Sequence, residues 1–465
     1  MEAFTVKNLS FAYPQRANNA LDGVTFSVEK GELCVLLGKS ASGKSTLLKL
    51  IKKELAPHGK LDGEITVNGT VGYVSQRAEE SIVTNRVRSE LAFSPSCKGM
   101  SADDTELLVA EAASYFNLES KLDCDVSELS GGEKQVLALA SVMIAKPEIL
   151  VLDEPVSQLD PVSAAAFYDV IRQMHRDFHT TIIMAEHTLE GVYDMADSVL
   201  VLDDGRLFVK AEREEAVKLL LNSAHDMKNA LPAKLRADVI SEEKAEPILD
   251  ETALTAKNLC FAYTKGNDVL SGLSLKIYKN KINAIVGPNA SGKSTLLKVL
   301  CGVKKQYRGS VKADGKTAML TQNVYDLFTH DTCGEEAEFG EITAFLEIDD
   351  IRDYHPYDIS GGQAQRLALA KVLQVGADII MLDEPTKGFD CVLKDKLAQL
   401  LKRLCDEDKT VVIVTHDLEF AGRCADVCSF LSRGRIIATK PTFDFFSNLN
   451  FYTTPLARLT DGKRI

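Results

Sequence analysis

Three short runs in the first half of the chain, ELCVLLG (32–38), EILVLDE (148–154) and TTIIMAEH (180–187), are apolar at nearly every position. Three in the second half, KINAIVG (281–287), DIIMLDE (378–384) and TVVIVTH (410–416), match them. A half-exposed strand alternates apolar and polar residues, so unbroken apolar runs bounded by turn residues predict strands covered on both faces. The segments between them carry apolar residues at helical spacing, as in STLLKLIKKEL (45–55), KQVLALASVMIA (134–145) and AQRLALAKVLQV (364–375). Shorter β-rich runs such as FTVKNLSFAY (4–13) and VTFSVEKG (24–31) come first. Strands alternating with helices predict an α/β class: a mainly parallel sheet core in each half, with an antiparallel β part ahead of it.

The match between halves extends to particular residues in a fixed order. NLSFAY (8–13) returns as NLCFAY (258–263), ASGKSTLLK (41–49) returns unchanged at 290–298, and LDEP (152–155) returns at 382–385. The SGG of 130–132 returns at 360–362, and the apolar run ending in His187 returns as one ending in His416. A repeat this long implies two tandem domains rather than a solenoid of small units. The expected boundaries are 1–223 and 254–465, with 224–253 as a polar, charged linker. Unstructured, a linker of that length spans about 30 Å, enough to let the two copies meet.

The unchanged nonamer carries chemistry. Gly38, Lys39, Ser40, Ala41, Ser42, Gly43, Lys44, Ser45 and Thr46 follow a buried strand and open a helix, and Gly287, Pro288, Asn289, Ala290, Ser291, Gly292, Lys293, Ser294 and Thr295 do the same. That is the setting of a phosphate-binding loop: glycines admit backbone N–H groups to phosphate oxygens, and the helix N-terminus adds partial positive charge. Lys44 and Lys293 supply full charges, and the hydroxyls of Ser45 and Ser294 suit Mg²⁺. Asp153-Glu154 and Asp383-Glu384 end buried strands, where unpaired carboxylates are costly unless an ion or ligand uses them. The aspartates suit Mg²⁺; Glu154 and Glu384 suit orienting a water as general bases against a γ-phosphate. Ser130, Gly131 and Gly132, and Ser360, Gly361 and Gly362, begin apolar-periodic helices and offer bare amides to an anion.

In this order, over nearly the whole chain, the motifs resemble the ATP-binding cassette (ABC) family. The resemblance implies tandem P-loop ATPase domains, each with a helical subdomain, and ATP sandwiched between copies, so that the two cassettes pair within the chain. One composite site would join Lys44, Ser45, Gln76, Asp153, Glu154 and His187 to Ser360 and Gly362; the other would join Lys293, Ser294, Gln322, Asp383, Glu384 and His416 to Ser130 and Gly132. It further implies that Tyr13 and Tyr263 stack on adenine, that Gln76 and Gln322 serve Mg²⁺ and the attacking water, that His187 and His416 meet the γ-phosphate, and that Asp160 and Asp390 cross the interface. With both bases, histidines and glutamines present, two competent sites are expected. Glu133 against Gln363 and Val136 against Arg366 are the departures from which unequal rates would start.

Gln76 stands 54 positions before Ser130, whereas Gln322 stands 38 before Ser360. The difference falls on SADDTELLVAEAASYFNL (101–118), a helical pattern in the part that, in the family, receives a membrane partner. The second helical subdomain is therefore expected to be shortened, and the two docking faces to differ. Segments 76–93 and 322–339 share an apolar pair and Thr after Gln, then acidic residues before Ala and Phe. In this they are similar to ATPases of energy-coupling factor importers, which implies an integral membrane scaffold, a substrate-binding membrane subunit, and a vitamin or transition-metal ion as cargo. The alternatives are the fused ATPase of a sugar-type importer and a soluble tandem cassette acting on ribosomes.

Composition narrows these options. A formal charge of −13 argues against nucleic-acid binding. No apolar run reaches the ~18 residues of a membrane span, and MEAFTVKNLSFAYP lacks a signal pattern, so the expected location is the cytoplasmic face of the membrane, as a peripheral subunit. Ten scattered cysteines without a Cys-x-x-Cys pair predict free, mostly buried thiols. His175 and His179 have a metal-capable spacing without a third ligand and are expected to be solvated. The aromatic tail, with Phe443, Phe445, Phe446, Phe451 and Tyr452, is expected to pack on its own domain.

Overall fold

In the first half, strands β1 (Glu2–Ala12), β2 (Leu21–Glu29) and β4 (Lys60–Val67) form an antiparallel sheet in the order β2-β1-β4. Strands β3 (Leu33–Gly38), β5 (Val71–Val74), β6 (Ile149–Asp153), β7 (Thr181–Glu186), β8 (Ser198–Asp203) and β9 (Arg206–Glu212) form a second sheet in the order β5-β6-β7-β3-β8-β9, parallel except for β9. The second half repeats this plan. Its antiparallel sheet runs β11 (Asn267–Tyr278), β10 (Thr252–Thr264), β13 (Arg308–Ala313). Its larger sheet combines β12 (Ile282–Val286), β14 (Thr317–Leu320), β15 (Ile379–Asp383), β16 (Thr410–Val414), β17 (Val427–Ser432) and β18 (Arg435–Pro441) in the order β14-β15-β16-β12-β17-β18. This computed structural model describes residues 1–14, 18–223, 225–236, 251–449 and 452–454.

The unbroken apolar runs are the central strands, and every residue of β3, β6 and β7 is buried. Leu36, Val151 and Ile183 of the larger sheet share one core with Phe4, Val6 and Phe11 of the antiparallel sheet and with Leu47 and Leu48 of the helix Lys44–Ile51. Each such side chain contributes about 1.5–3 kcal/mol through burial. The phosphate-loop helix is thus anchored from both sheets. A second core, with Leu296 and Leu297 between Phe261 and Met381, does the same in the other half.

The shortened helical part of the second half is observed. Between Gln76 and Ser130 lie helices Val87–Cys97 and Ala102–Tyr115, the latter capped by Ser101 and packed through Val109, Ala112 and Ala113. The corresponding stretch of the second half holds only Cys333–Glu336, Glu341–Phe345 and short 3-10 turns.

The chain divides into units Met1–Arg236 and Ala237–Ile465. The start of the expected linker differs from expectation: 225–236 folds into the first unit, with Met227, Ala230 and Leu231 fully buried and the Thr188 hydroxyl donating to Ala230 O at 3.0 Å. Four apolar residues among the polar ones, Met227, Ala230, Leu231 and Ala233, are buried and anchor this stretch. Of the rest of that linker, 237–250 lies outside the described residues, and Thr252 and Ala253 already belong to β10. In the tail, Phe445 and Phe446 are buried and Tyr452 meets Phe430 edge-on at 5.2 Å, as self-packing requires, whereas Phe443 is exposed; Phe451 lies outside the described residues. All ten cysteines are free, but five rather than most are buried, and Cys97 is exposed.

Candidate functional site

The first phosphate loop leaves β3 at Gly38 and closes onto the helix at Lys44. Ala41 and Gly43 take positive φ, 62° and 98°, and a Cβ on Gly43 would lie 2.4 Å from Ala20 O, so glycine is required there. The second loop repeats the fold, with Ala290 at 59° and Gly292 at 100°. Lys44 Nζ donates to Gly38 O (2.9 Å) and Lys39 O (3.1 Å); Lys293 Nζ donates to Gly287 O and Pro288 O, both at 2.9 Å. Each ammonium is therefore held across its own loop. The hydroxyls of Ser42 and Ser291 are buried within these loops without a hydrogen-bond partner.

The two carboxylates sit directly beneath. Ser45 Oγ donates to Asp153 Oδ1 at 3.0 Å, and Ser294 Oγ to Asp383 Oδ1 at 3.1 Å. A hydroxyl and a carboxylate are the hard oxygen donors that suit Mg²⁺. Burial, and then repulsion from Glu154, raises the Asp153 carboxyl above the usual range; burial raises Asp383 to about 6. Both would gain from a cation. The residues present fit a Mg²⁺ ion held by Ser45 with Asp153 and by Ser294 with Asp383.

Glu154 and Glu384 occupy left-handed backbone, with φ of 48° and 50°, a conformation costing of order 1–3 kcal/mol in a non-glycine residue and concentrated at functional sites. Their amides donate to Ala185 O and Val414 O on the neighbouring strand ends. His187 Nε2 lies 2.9 Å from Glu154 Oε1, and Lys44 Nζ lies 3.5 Å from the same oxygen. His416 approaches Glu384 Oε1 at the same 2.9 Å, but through Nδ1. Burial pushes Glu154 upward, but His187 and then Lys44 overcome it and hold the carboxyl at about 2. Glu384 is likewise held low, with burial opposed by His416 and Lys293. Burial lowers His416, and Glu384 more than offsets this to raise it.

The predicted glutamines part company. Gln76 Nε2 donates to Glu154 Oε2 at 3.1 Å; Gln322 is exposed and makes no hydrogen bond among the described residues. Tyr13 OH lies 3.0 Å from Thr46 Oγ1 with its ring edge-on to Phe11; Tyr263 is 3.4 Å from Thr295 Oγ1, edge-on to Phe261, and 58% exposed. Ser130 and Ser360 cap the helices Gly131–Met143 and Gly361–Gln374 in capping boxes with Glu133 and Gln363, so that departure changes charge but not the cap. Arg366 is buried and donates to Gly362 O, Leu346 O and Glu347 O, joining the cap to the small helical part; Val136 makes no such bonds. Asp160 and Asp390 cap the helices Pro161–Phe178 and Cys391–Asp406 within their own units. His175 is not solvated: its Nδ1 is 3.1 Å from Thr180 O and its Nε2 is 3.7 Å from Asp197. Among the described residues no three His, Cys, Asp or Glu side chains gather as a metal cluster.

Sequence reasoning missed several partners. Tyr73 OH donates to Asp153 Oδ2 at 2.9 Å; the register counterpart of Tyr73 is Met319, and Asp383 Oδ2 is buried without a partner. Thr415 Oγ1 donates to Glu384 Oε2 at 3.1 Å; at its place in the first unit stands Glu186, bonded instead by Tyr168 OH at 2.9 Å. Burial lifts Glu186 to about 8. A tyrosine and a glutamate inside otherwise apolar strands were the available signal.

A phosphate loop, an Asp-Glu pair at the end of β6 or β15 in the same sheet and a capped Ser-Gly-Gly helix define each unit as a P-loop ATPase domain. The chain belongs to the ABC transporter family, which it matches over residues 21–157 and 270–387. It is 33% identical to an ABC transporter ATP-binding protein of Bacillus anthracis over 97% of this chain and 94% of that protein. It is 30% identical to one of Treponema denticola over 93% and 96%. Among solved structures, an archaeal ribosome recycling factor in complex with a ribosomal stalk protein aligns with a TM-score of 0.68 at 22% identity, covering 95% of this chain and 91% of that one. The RNase-L Inhibitor aligns with the same score at 21% identity, over 95% and 92%. At such identity the likeness is one of fold. The chain is an ATPase with two cassettes.

Proposed function

We propose that this ATPase is the motor subunit of a membrane importer of the energy-coupling factor type, working at the cytoplasmic face of the membrane with a scaffold and a substrate-binding subunit, for a vitamin or transition-metal ion. The observation that supports this reading best is the loop after each glutamine. In the first unit Glu90 is buried and its Oε2 accepts from Val83 N (3.0 Å) and Thr84 N (2.8 Å), which leaves the Val83 side chain 66% exposed. In the second, Glu336 accepts from Thr329 N and His330 N and pairs with Lys371. A buried carboxylate thus stiffens the segment at which a membrane partner would dock, in both cassettes and with different side chains presented. Among the described residues no helix is long and apolar enough to cross a membrane, so the cargo path would belong to other subunits.

In the proposed cycle ATP lies on the phosphate loop of one cassette and beneath the Ser-Gly-Gly turn of the other. Lys44 or Lys293 moves from its loop carbonyls to the phosphates. For Glu154 this removes a cation that depresses its basicity, leaving a carboxylate better able to take a proton from water as that water attacks the γ-phosphate and ADP leaves. His187 and His416, already beside the bases, hold the γ-phosphate side. Mg²⁺, when bound, would neutralise charge developing on the phosphate oxygens. Because ATP contacts both cassettes only when they are closed, its preference for that state drives closure.

Purification of the chain from native membranes in mild detergent, followed by identification of associated proteins, tests the assignment. Integral membrane subunits should co-purify. Co-sedimentation with ribosomes in place of membranes would refute the importer reading.

A further inference from the structure

The two candidate bases are positioned by different wiring. In the first unit the free oxygen of Glu154 is held by the Gln76 amide, and the residue before it, Ser75, is held in turn by Gln135, whose Nε2 donates to Ser75 O at 3.2 Å. Gln76 sits between β5 and the short helix Ala78–Ser81, so this donor is carried by a loop. In the second unit the register-equivalent Gln365 donates instead to the backbone oxygen of Glu384 at 3.3 Å. The carboxylate is held by the Thr415 hydroxyl at 3.1 Å and by His416 N at 3.2 Å, while Gln322 is not involved. Thr415 is fully buried immediately beyond β16. The same place in the first unit belongs to Glu186, which is turned to Tyr168, whose counterpart on the second unit's helix is Ala398. The exchange is therefore of pairs: Glu186 with Tyr168 in one unit, Thr415 with Ala398 in the other.

We infer that Thr415 is a positioning residue for hydrolysis at the second cassette, doing from a rigid strand end what the Gln76 amide does from a loop in the first. This rests on the reading of Glu384 as general base. A hydroxyl at 3.1 Å on Oε2, with the histidine on Oε1, leaves the carboxylate one orientation. The strand end and the helix Gly361–Gln374 set that orientation whatever the loop after β14 does. Glu154 has its histidine on Oε1 as well, but its Oε2 is held by the loop-borne Gln76 amide in place of a strand-end hydroxyl.

The test uses the full chain. Thr415→Val keeps shape and removes the hydroxyl. It should abolish at least half of the turnover that Glu384→Gln abolishes, with KM for ATP and nucleotide affinity changed less than about twofold. Thr415→Ser should restore turnover to within about twofold of wild type, and Thr415→Val added to Glu384→Gln should cause no further loss, since one acts through the other. Thr415→Ala, read against Thr415→Ser, repeats the comparison should the valine variant not fold. Wild-type turnover in Thr415→Val while Glu384→Gln is impaired overturns the positioning role, as does a further loss in the double variant. Normal turnover in Glu384→Gln itself overturns the underlying reading of the base.

Discussion

Tyr73 donates its hydroxyl to Oδ2 of Asp153 at 2.9 Å, across the two outermost parallel strands of the first unit. The pair gives the first cassette an oriented carboxylate. The second cassette has Met319 in that register and a bare Asp383 Oδ2. Groups that orient a metal-binding carboxylate typically change metal affinity by 10–100-fold. Tyr73→Phe should therefore weaken Mn²⁺ binding about 10-fold at one of the two nucleotide-loaded sites, read by the paramagnetic signal of free Mn²⁺, and cost about 1 kcal/mol of stability. Two unchanged Mn²⁺ affinities would contradict it.

Glu154→Gln and Glu384→Gln keep the size of the side chain but remove the carboxylate proposed as proton acceptor. Each should lower hydrolysis at its own site by ~10² or more and leave ATP binding intact, as measured by steady-state phosphate release beside equilibrium nucleotide titration. A double variant with near-normal turnover would exclude both residues as bases.

Lys44→Ala and Lys293→Ala remove the charge held across each loop. Hydrogen bonds to charged groups contribute about 1.5–3 kcal/mol, so each variant should weaken nucleotide binding roughly 10-fold or more at one site. Titration with a fluorescent ATP analogue should show one tight and one weakened site per chain, rather than two unchanged ones.

Glu186 provides a pH signature. Its carboxyl, normally near 4.5, is lifted by burial to about 8 in the folded chain, so between these values the folded state retains a proton that the unfolded state has released. Its contribution to stability is complete below pH ~4.5 and is lost as pH rises toward 8. Glu186→Gln, which cannot ionise, should raise the melting temperature of the first unit by several degrees more at pH 8 than at pH 5, since about 1 kcal/mol moves a unit of this size by ~2–4 °C. Equal shifts at the two pH values would show that the carboxyl is not buried neutral.

What was legible in the sequence is what depends on spacing along the chain. Unbroken apolar runs marked the strands buried on both faces, the repeated nonamer marked both phosphate loops, and the missing residues before Ser360 marked the shortened helical part, because period, turn chemistry and length are local quantities. The order of the sheets, the left-handed backbone at Glu154 and Glu384, and the return of 225–236 to the first unit were decided by tertiary structure. So was the difference between the two candidate bases. Gln76 and Glu154 are 78 positions apart, and Thr415 and Glu384 are 31 apart. Which of these donors reaches a carboxylate depends on how neighbouring strands and loops place hydroxyls and amides within about 3 Å, and a hydrogen bond falls away steeply beyond that range. Two nearly identical sets of motifs can therefore be wired differently, since sequence specifies which groups are present, while packing decides which of them touch.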